Sequence, residues 1–537
     1  MRPSRPGSAK PTARFHGLGF TLRFMVPGDV RYVSCDCGDR PPCRHAALAV
    51  WAFRELAADR TAGYVSLQQR TDPPPLALLD ELEAAVAEQL RVGAAGGARR
   101  LKDRLRRLER EARAQGLAWP AEICADLALQ QERYLAHDAR FDPDLLVELI
   151  GEQLIRARAI RRDTGAVPQL LIRGLPSDRE SRTGKARFIG LGCGARFRRG
   201  GVELTVHLQD ADSGSIVALQ REFPDPPEGS GEVPRSLSRL ARRPVVQGVT
   251  LASLGSGQLL LQNAKRSAGG RLAIGRTRSS FSPQTYAWDT LRPPALAEGF
   301  AEVASRLAGL PPASLRPRHV AEDFHVCPVA RVVEPGFDDT TQCVEATLLD
   351  AQGDRAHLVH PYTGRAAAGC EALLAALEVG PPVRWAAGPV HLGPRGLEIY
   401  PVSLVVERGK DQRRLVQPWV DGESDAAVVG RAAGERAPSG ELVDQDPVST
   451  FPAELARELA ELAVTGLEHA DARTASTWRE LARRGEAMGF DLLVAPVSRV
   501  ATALEQRLHT ARWDPTAAGR EALALALLVR LAAEAGA

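Results

Sequence analysis

Four residues with metal-ligand chemistry lie in one short stretch of the sequence, as the pairs Cys35-x-Cys37 and Cys43-x-His45. Two cysteines separated by one residue can bind an ion from the tip of a strand or turn, and a Cys-x-His pair at a helix start can supply two further ligands. Three thiolates and one imidazole suit Zn²⁺, and four protein ligands leave no open coordination position. The spacing therefore predicts one structural zinc ion. The alternative is a cysteine-rich loop that holds no metal.

The flanking sequence predicts the elements that position these ligands. Phe20 to Val26 and Val30 to Ser34 have the composition of two short strands, and Pro27-Gly28-Asp29 between them is typical of a hairpin turn. His45 leads directly into an apolar stretch, Ala46 to Ala58, which predicts a helix. The ligands are therefore expected between a hairpin and a helix.

This arrangement resembles the SWIM-type zinc finger of bacterial SWIM zinc finger domain-containing proteins. That family has the pattern CxC, a variable spacer and CxH, with a β-hairpin before it and a helix after it. All four ligand positions match, and the resemblance covers about residues 15–60. It implies one zinc ion and contact with DNA or with another protein. SWIM fingers also occur beside SWI/SNF-type ATPases, but we find no ATPase, transposase or kinase motif in this sequence.

The charge distribution favours a polyanionic partner for the front half of the chain. The formal net charge is +3, but residues 1–200 carry 34 basic and 24 acidic side chains, whereas the remainder carries 35 and 42. Arg40 and Arg44 flank the ligands, so zinc-driven folding would fix them beside the helix start, where they can meet phosphates. Only 5 of the 69 basic residues are lysine, so arginine clusters elsewhere in this chain carry less weight.

The periodicity of the remaining sequence predicts an α+β multidomain protein. Leu101, Leu105, Leu108 and Ala112 recur at helical spacing, whereas residues 186–223 alternate in the manner of strands. Two blocks each show three strands, a helix and two strands, which is the order of an OB-fold barrel. The expected order is a flexible basic arm (1–14), a SWIM zinc finger (15–62), a helical segment (63–180), an OB-like β domain (181–300), a second OB-like β domain (318–407), a linker (408–450) and a helical C-terminal domain (451–537).

In the second block the expected elements are strands near Val326–Val333, Val344–Leu349 and Ala356–His360, a helix at Cys370–Leu377, and strands at Val383–Leu392 and Leu397–Val406.

Two further groups of basic residues have alternative interpretations. The helix Arg99–Arg113 carries eight basic and three acidic side chains, which fits a phosphate-binding face but fits an ordinary solvated helix better. Basic residues in the first β block can line a groove for single-stranded nucleic acid. They are Arg196, Arg198, Arg199, Arg242, Arg243, Lys265 and Arg266. The nearby aromatic residues Phe188, Phe197 and Phe223 are expected to pack in the core rather than to stack on bases.

The other cysteine and histidine residues do not predict a second site. His325, Cys327 and Cys343 have a strand context and lack a fourth ligand, so we expect them to be buried and inert. We find no nucleophile dyad or triad, no HExxH and no dinucleotide-binding fingerprint in a credible context, and we expect a protein without enzymatic activity.

These observations lead to one functional hypothesis and one alternative. No apolar run is long enough to span a membrane and the N-terminus lacks a secretory signal, so we expect a cytoplasmic protein. The expected function is a zinc-containing accessory protein that binds nucleic acid through the finger and the first barrel. The alternative is a protein-interaction scaffold or a regulator of a separately encoded ATPase.

Overall fold

The computed structural model describes residues 2–4, 11–15, 20–56 apart from 36 and 38, 65, 73–174, 181–182, 185–275 apart from 228, 247, 263 and 268, 279–407 apart from 294 and 394, 413–422, 447–509 and 513–535. All structural statements below refer to these residues.

The N-terminal module is a four-stranded antiparallel sheet covered by one helix. Its elements are β1 (Arg2–Ser4), β2 (Thr12–Phe15), β3 (Phe20–Phe24), β4 (Val33–Cys35) and α1 (Arg44–Glu55), with the strands in sequence order. Alternation along β2 turns Ala13 and Phe15 inward, so part of the predicted flexible arm is strand instead. Residues 5–10 of that arm lie outside the described residues. The predicted hairpin is present, although Val30–Tyr32 forms a turn of 3-10 helix before β4 begins.

A helical domain contains the elements of both predicted helical regions. The first half comprises α2 (Leu76–Ala114), α3 (Ala118–Leu135), α4 (Pro143–Arg162) and α5 (Gln169–Arg173). The helices α10 (Pro447–Thr465), α11 (Ala472–Ala487), α12 (Asp491–His509) and α13 (Pro515–Ala535) form the second half. One hydrophobic core contains Leu79 and Leu154 from the first half and Leu459 from the second. The separate C-terminal helical domain that we expected is therefore wrong, because its apolar faces are buried against α2 and α4.

The contact between the two halves requires a glycine in α2. Gly93 interrupts the helix with a positive φ of 71°, and a Cβ atom there would lie 2.4 Å from the carbonyl oxygen of Val464. The predicted helical spacing within α2 is confirmed, since Leu101, Leu105 and Leu108 are all buried.

The first β block follows the helical segment. Its elements are β5 (Ser181–Arg182), β6 (Lys185–Arg198), β7 (Gly201–Asp210), β8 (Ile216–Pro224), α6 (Leu237–Ala241), β9 (Pro244–Val246), β10 (Val249–Thr250), α7 (Leu251–Ser256), β11 (Gln258–Gln262), β12 (Lys265–Arg266), β13 (Leu272–Ala273) and β14 (Ser279–Ser282). The main sheet has the order β14-β11-β6-β7-β8, and β12 pairs with β5 and β13. A parallel bridge between Ala218 and Arg271 brings the β13 end against β8, which curves the block toward a barrel.

The second β block is a closed barrel with two additional strands. It contains α8 (Phe300–Ala308), β15 (Phe324–Pro328), β16 (Arg331–Asp338), β17 (Cys343–Leu349), β18 (Arg355–Pro361), α9 (Ala367–Glu378), β19 (Val383–Gly393), β20 (Gly396–Ile399), β21 (Ser403–Glu407) and β22 (Arg413–Val416). The strands β16, β17 and β18 pair in order, β18 pairs in parallel with β20, and β19 pairs with both β20 and β15. The predicted first and last strands of this block are each divided in two.

The predicted linker at 408–450 is also corrected in part. Residues 413–416 form β22, which pairs with β21, and Val420 is buried in the core of the first block. The polar pair Arg413-Arg414 concealed this edge strand, and helix α10 begins at Pro447, inside the predicted range. Residues 408–412 and 423–446 lie outside the described residues.

The two β blocks pack against each other through specific contacts. The Ser403 hydroxyl donates to the Leu191 carbonyl at 2.6 Å, and the His207 ring stacks on Phe324 with 4.4 Å between the centroids.

In the part of the chain that the structure describes, we found no helix with the length and hydrophobicity of a membrane span.

Two buried histidines predict how stability depends on pH. Burial lowers the pKa of His207 and of His360 from 6.5 to about 4, so both rings are neutral in the folded protein at pH 7. The unfolded chain binds these protons first. Stability should therefore be full above pH 6.5 and should fall between pH 6.5 and 4, by up to about 1.4 kcal/mol per pH unit for each histidine.

Chemical denaturation measured at pH 7 and pH 5 tests this expectation. His207→Phe, which can retain the ring contact with Phe324, should reduce the loss of stability at pH 5, whereas His509→Gln on the surface of α12 should not. An equal free energy of unfolding at both pH values in the wild-type protein would contradict the account.

Candidate metal centre

The four predicted ligands converge between the end of the hairpin and the start of α1. One ligand atom from each of Cys35, Cys37, Cys43 and His45 lies within 4.8 Å of all the others. Cys35 ends β4 and pairs with Leu22, whereas Cys43 is the N-cap of α1 and its carbonyl accepts from the Ala46 amide at 2.9 Å. These four side chains can therefore share one metal ion.

The distances fit tetrahedral coordination by sulfur and nitrogen. The Nδ1 atom of His45 lies 3.7 Å from the Cys35 sulfur and 3.6 Å from the Cys43 sulfur. Zn–S bonds of about 2.3 Å and Zn–N bonds of about 2.0–2.1 Å place adjacent tetrahedral ligands about 3.6 Å apart. The donor set and its spacing thus fit a zinc ion, with Nδ1 as the nitrogen that faces the sulfurs.

The surrounding residues fix the orientation of the ligands. His45 is buried beneath Phe15, with 5.4 Å between the ring centroids. The Asp39 amide donates to the Cys37 sulfur at 3.5 Å, in the manner of the outer hydrogen bonds that support thiolate ligands. The ligand loop also contains a cis peptide bond between Pro41 and Pro42.

The thiols have different protonation tendencies. Hydrogen bonding from Cys35 is the largest factor that lowers the pKa of Cys37, to about 4. Burial raises the pKa of the Cys43 thiol. The thiolate is the form that binds metal, so a bound metal ion would stabilise the deprotonated form of the buried Cys43 side chain.

The basic residues beside the ligands lie at the surface. Arg40 and Arg44 are exposed, and neither forms an ion pair with any residue that the structure describes. In contrast, Arg31 in the hairpin tip is paired with Asp29 at 2.7 Å. The two arginines nominated from the sequence are therefore available to an external partner.

Several arginines of the other predicted basic surfaces form ion pairs within the chain. On α2, Arg100 and Arg104 pair with Glu88, and Arg107 pairs with Glu81 and Glu111. In the first β block, Arg196, Arg198 and Arg199 pair with the carboxylates Glu148, Asp142, Asp144 and Glu461 of the helical domain. These pairs favour the interpretation of α2 as an ordinary solvated helix.

The remaining sequence candidates have mostly buried positions. Phe188 and Phe223 lie in the core of the first block, as expected, whereas Phe197 is 40% exposed and lies beside Trp419. His325 and Cys327 are buried in β15, and Cys343 is half-buried at the start of β17.

Sequence reasoning missed the attachment of the finger to the first β block. The Arg23 guanidinium is buried and donates to the Asp212 carbonyl at 2.9 Å, and the Ser215 hydroxyl donates to the Thr21 hydroxyl at 2.6 Å. Burial lowers the pKa of Arg23 to about 10. Thr21 and Arg23 alternate with the core residues of β3, which is the pattern of a solvent-facing side, so the sequence carried no signal for this contact.

Comparison with known proteins identifies two domains outside the N-terminal module. The family model described as the YehQ four-helical bundle domain matches residues 76–174, and the YehQ C-terminal OB-fold domain matches residues 321–438. The chain is similar to Protein YehQ of Escherichia coli (strain K12), with 26% identity over 362 residues, which is 62% of this chain and 57% of that protein. The chain thus spans little more than half the length of this relative. A helical bundle domain and a C-terminal OB-fold domain are present, and the two matched ranges do not include the cysteine and histidine cluster.

The geometry of the cluster predicts about one equivalent of tightly bound zinc per chain. Metal analysis of gently purified protein should show this equivalent. Cys43→Ser should release the zinc and unfold the finger, because folding and metal binding are coupled in such small sites. Cys343→Ser, a cysteine outside the cluster, should retain it. A zinc content near zero in the wild-type protein, or full retention by Cys43→Ser, would refute the assignment.

Proposed function

We propose that this chain is a cytoplasmic accessory protein without enzymatic activity, whose SWIM-type zinc finger binds nucleic acid through its phosphates. The observation that carries the proposal is the position of Arg40 and Arg44. Both are exposed and lack an ion-pair partner among the described residues, and both are within three residues of a metal ligand. Metal binding orders their backbone, so contact with phosphates requires little further ordering.

The form of the metal site supports a structural finger. The order of hairpin, CxC pair, CxH pair and helix is that of the SWIM pattern, with β3 and β4 before the ligands and α1 at their end. Four protein ligands saturate tetrahedral zinc and leave no position for a substrate or an activated water molecule. The ion would therefore stabilise the finger rather than catalyse a reaction.

The orientation of α1 supports backbone contacts over base reading. The helix turns Ala46, Ala49 and Ala52 into the protein, so its apolar face packs on the sheet. Its exposed face includes Ala47 and Trp51, which do not offer the paired donors and acceptors that read base edges in the major groove. Binding through Arg40 and Arg44 should therefore depend strongly on salt and weakly on sequence.

Replacement of Arg40 and Arg44 by alanine tests the proposal. The double variant should bind DNA more weakly by a similar factor for unrelated sequences, and the slope of log affinity against log salt should become shallower by up to about two units. Arg107→Ala with Arg483→Ala removes two charges that are already paired within the chain and should leave the slope unchanged. An unchanged slope in the finger variant, with zinc still bound, would remove the finger from the interface.

A second candidate function is a protein-interaction scaffold, which includes regulation of a separately encoded ATPase. The hairpin tip favours it, since Met25, Val26, Val30 and Tyr32 are 40–55% exposed. The tip is held in one shape by the Met25 amide, which donates to the Tyr32 carbonyl at 2.8 Å, and by the pair of Arg31 with Asp29. Exposed, preorganised apolar side chains are typical of protein contacts.

Replacement of tip residues separates the two candidates. If the tip contacts a protein, Val26→Ser with Tyr32→Ser should abolish nuclease-resistant co-purification of the partner and should leave the salt dependence of DNA binding unchanged. The Arg40 and Arg44 variant should show the opposite behaviour. A partner retained equally by both variants would exclude the finger from the protein contact.

A further inference from the structure

The first β block has the strand arrangement of a nucleic-acid-binding barrel. Its pairing order, with β13 brought parallel to β8, follows that of the C-terminal OB-fold domain. In such barrels, oligonucleotides bind on the face formed by the second and third strands and by the loops that follow the first and fourth strands. Here that face comprises β7, β8, the β6–β7 turn at residues 199–200, and residues 267 and 269–271.

The helical domain covers this face. The segment at residues 138–142 and helix α4 lie against the β6–β7 turn, so closely that a Cβ atom on Gly200 would lie 2.0 Å from the Ala139 carbonyl oxygen. A cleft of about 1200 Å³ remains between the two domains, with walls from α3, α4, β7 and β8. The face is therefore partly filled by the chain itself.

Ion pairs hold the cover at the barrel arginines. Arg196 donates to Glu148 at 3.1 Å, Arg198 lies 3.4 Å from the Asp142 carboxylate, and Arg199 donates to both oxygens of Asp144 at 2.9 and 3.2 Å. Arg199 also pairs with Glu461 of α10. Carboxylates therefore stand where the phosphates of a bound strand would meet these guanidinium groups.

We propose that the first barrel contains a masked site for single-stranded nucleic acid, in which Asp142, Asp144 and Glu148 compete with phosphates for Arg196, Arg198 and Arg199. This site is distinct from the finger and does not depend on nucleic-acid binding there. The carboxylates belong to the same chain as the arginines. Their effective concentration at the arginines is therefore high, and a nucleic-acid strand in solution must compete with it. The pairs of Arg196 with Glu148 and of Arg199 with Asp144 are partly exposed on both sides, so a ligand can displace these carboxylates.

Among the three masking carboxylates, Asp142 also has a structural role, so its replacement must preserve that role. Asp142 is the N-cap of α4, and its carboxylate accepts from the amides of Asp144 and Leu145. Asparagine caps helices as well as aspartate does, so Asp142→Asn removes the charge and keeps the cap. Asp144→Asn and Glu148→Gln remove the other two charges at positions that do not cap α4, and this double variant keeps the native Asp142 cap.

Binding of a fluorescein-labelled oligothymidylate of about twenty nucleotides, measured by anisotropy, tests the mask. All variants carry Arg40→Ala and Arg44→Ala, so the result is independent of the finger. The change Asp142→Asn, Asp144→Asn, Glu148→Gln should tighten binding about tenfold and should steepen the salt slope by about 1.4 units. This is the slope expected for two newly available arginines, Arg196 and Arg198, because Arg199 keeps its pair with Glu461. Further replacement of Arg196, Arg198 and Arg199 by glutamine should abolish the gain.

A matched control removes three carboxylates that pair with arginines elsewhere. Glu480→Gln, Glu505→Gln and Glu521→Gln change the net charge equally on α11, α12 and α13 and should leave the affinity unchanged. Thermal unfolding identifies any variant that fails to fold, in which case the Asp144 and Glu148 double variant replaces the triple one. Three results would each overturn the proposal. They are an equal increase of affinity in the control, no increase in the folded variant that lacks the masking carboxylates, and an increase that persists after the three arginines are replaced.

Discussion

The convergence of three sulfurs and one nitrogen within 4.8 Å of one another is the constraint on which the N-terminal module depends. The module between residues 11 and 56 buries only a small core, with Phe15, Leu22 and Phe24 as its main apolar side chains. A core of this size rarely sustains a fold without a metal or other crosslink. The buried Arg23 attaches this module to the first β block, so order that a metal ion imposes on its ligands would extend to that contact.

The second constraint is the shared core of the helical domain. The chain leaves this domain after α5 and returns to it at α10. In the sequence, both β blocks are therefore inserted between the two halves of one helical domain. Ion pairs join the end of β6 in the first barrel to the start of α4. At this contact a strand end with three neighbouring arginines faces a helix start that is rich in carboxylates. Charge complementarity within the chain replaces the open basic groove that the sequence alone indicated.

The elements and ligands could be predicted where the information is local. The spacing of Cys35, Cys37, Cys43 and His45 determines their proximity, and the alternation along β17 and β18 determines which residues face the barrel core. Partner choice between distant elements could not be predicted in this way. An apolar stripe on α10 shows that the helix is packed, but it does not show that the partners are α2 and α4. For the same reason, Arg199 gave no indication of its pairing with Asp144 and Glu461.

The central claim is a closed zinc site with three thiolates and one imidazole. X-ray absorption at the zinc K-edge of the purified full-length protein measures it directly. The account predicts a first shell of three sulfur atoms at about 2.3 Å and one nitrogen atom at about 2.0–2.1 Å. A shell dominated by oxygen, or one with fewer than three sulfur atoms and a bound water molecule, would contradict the structural assignment of this site.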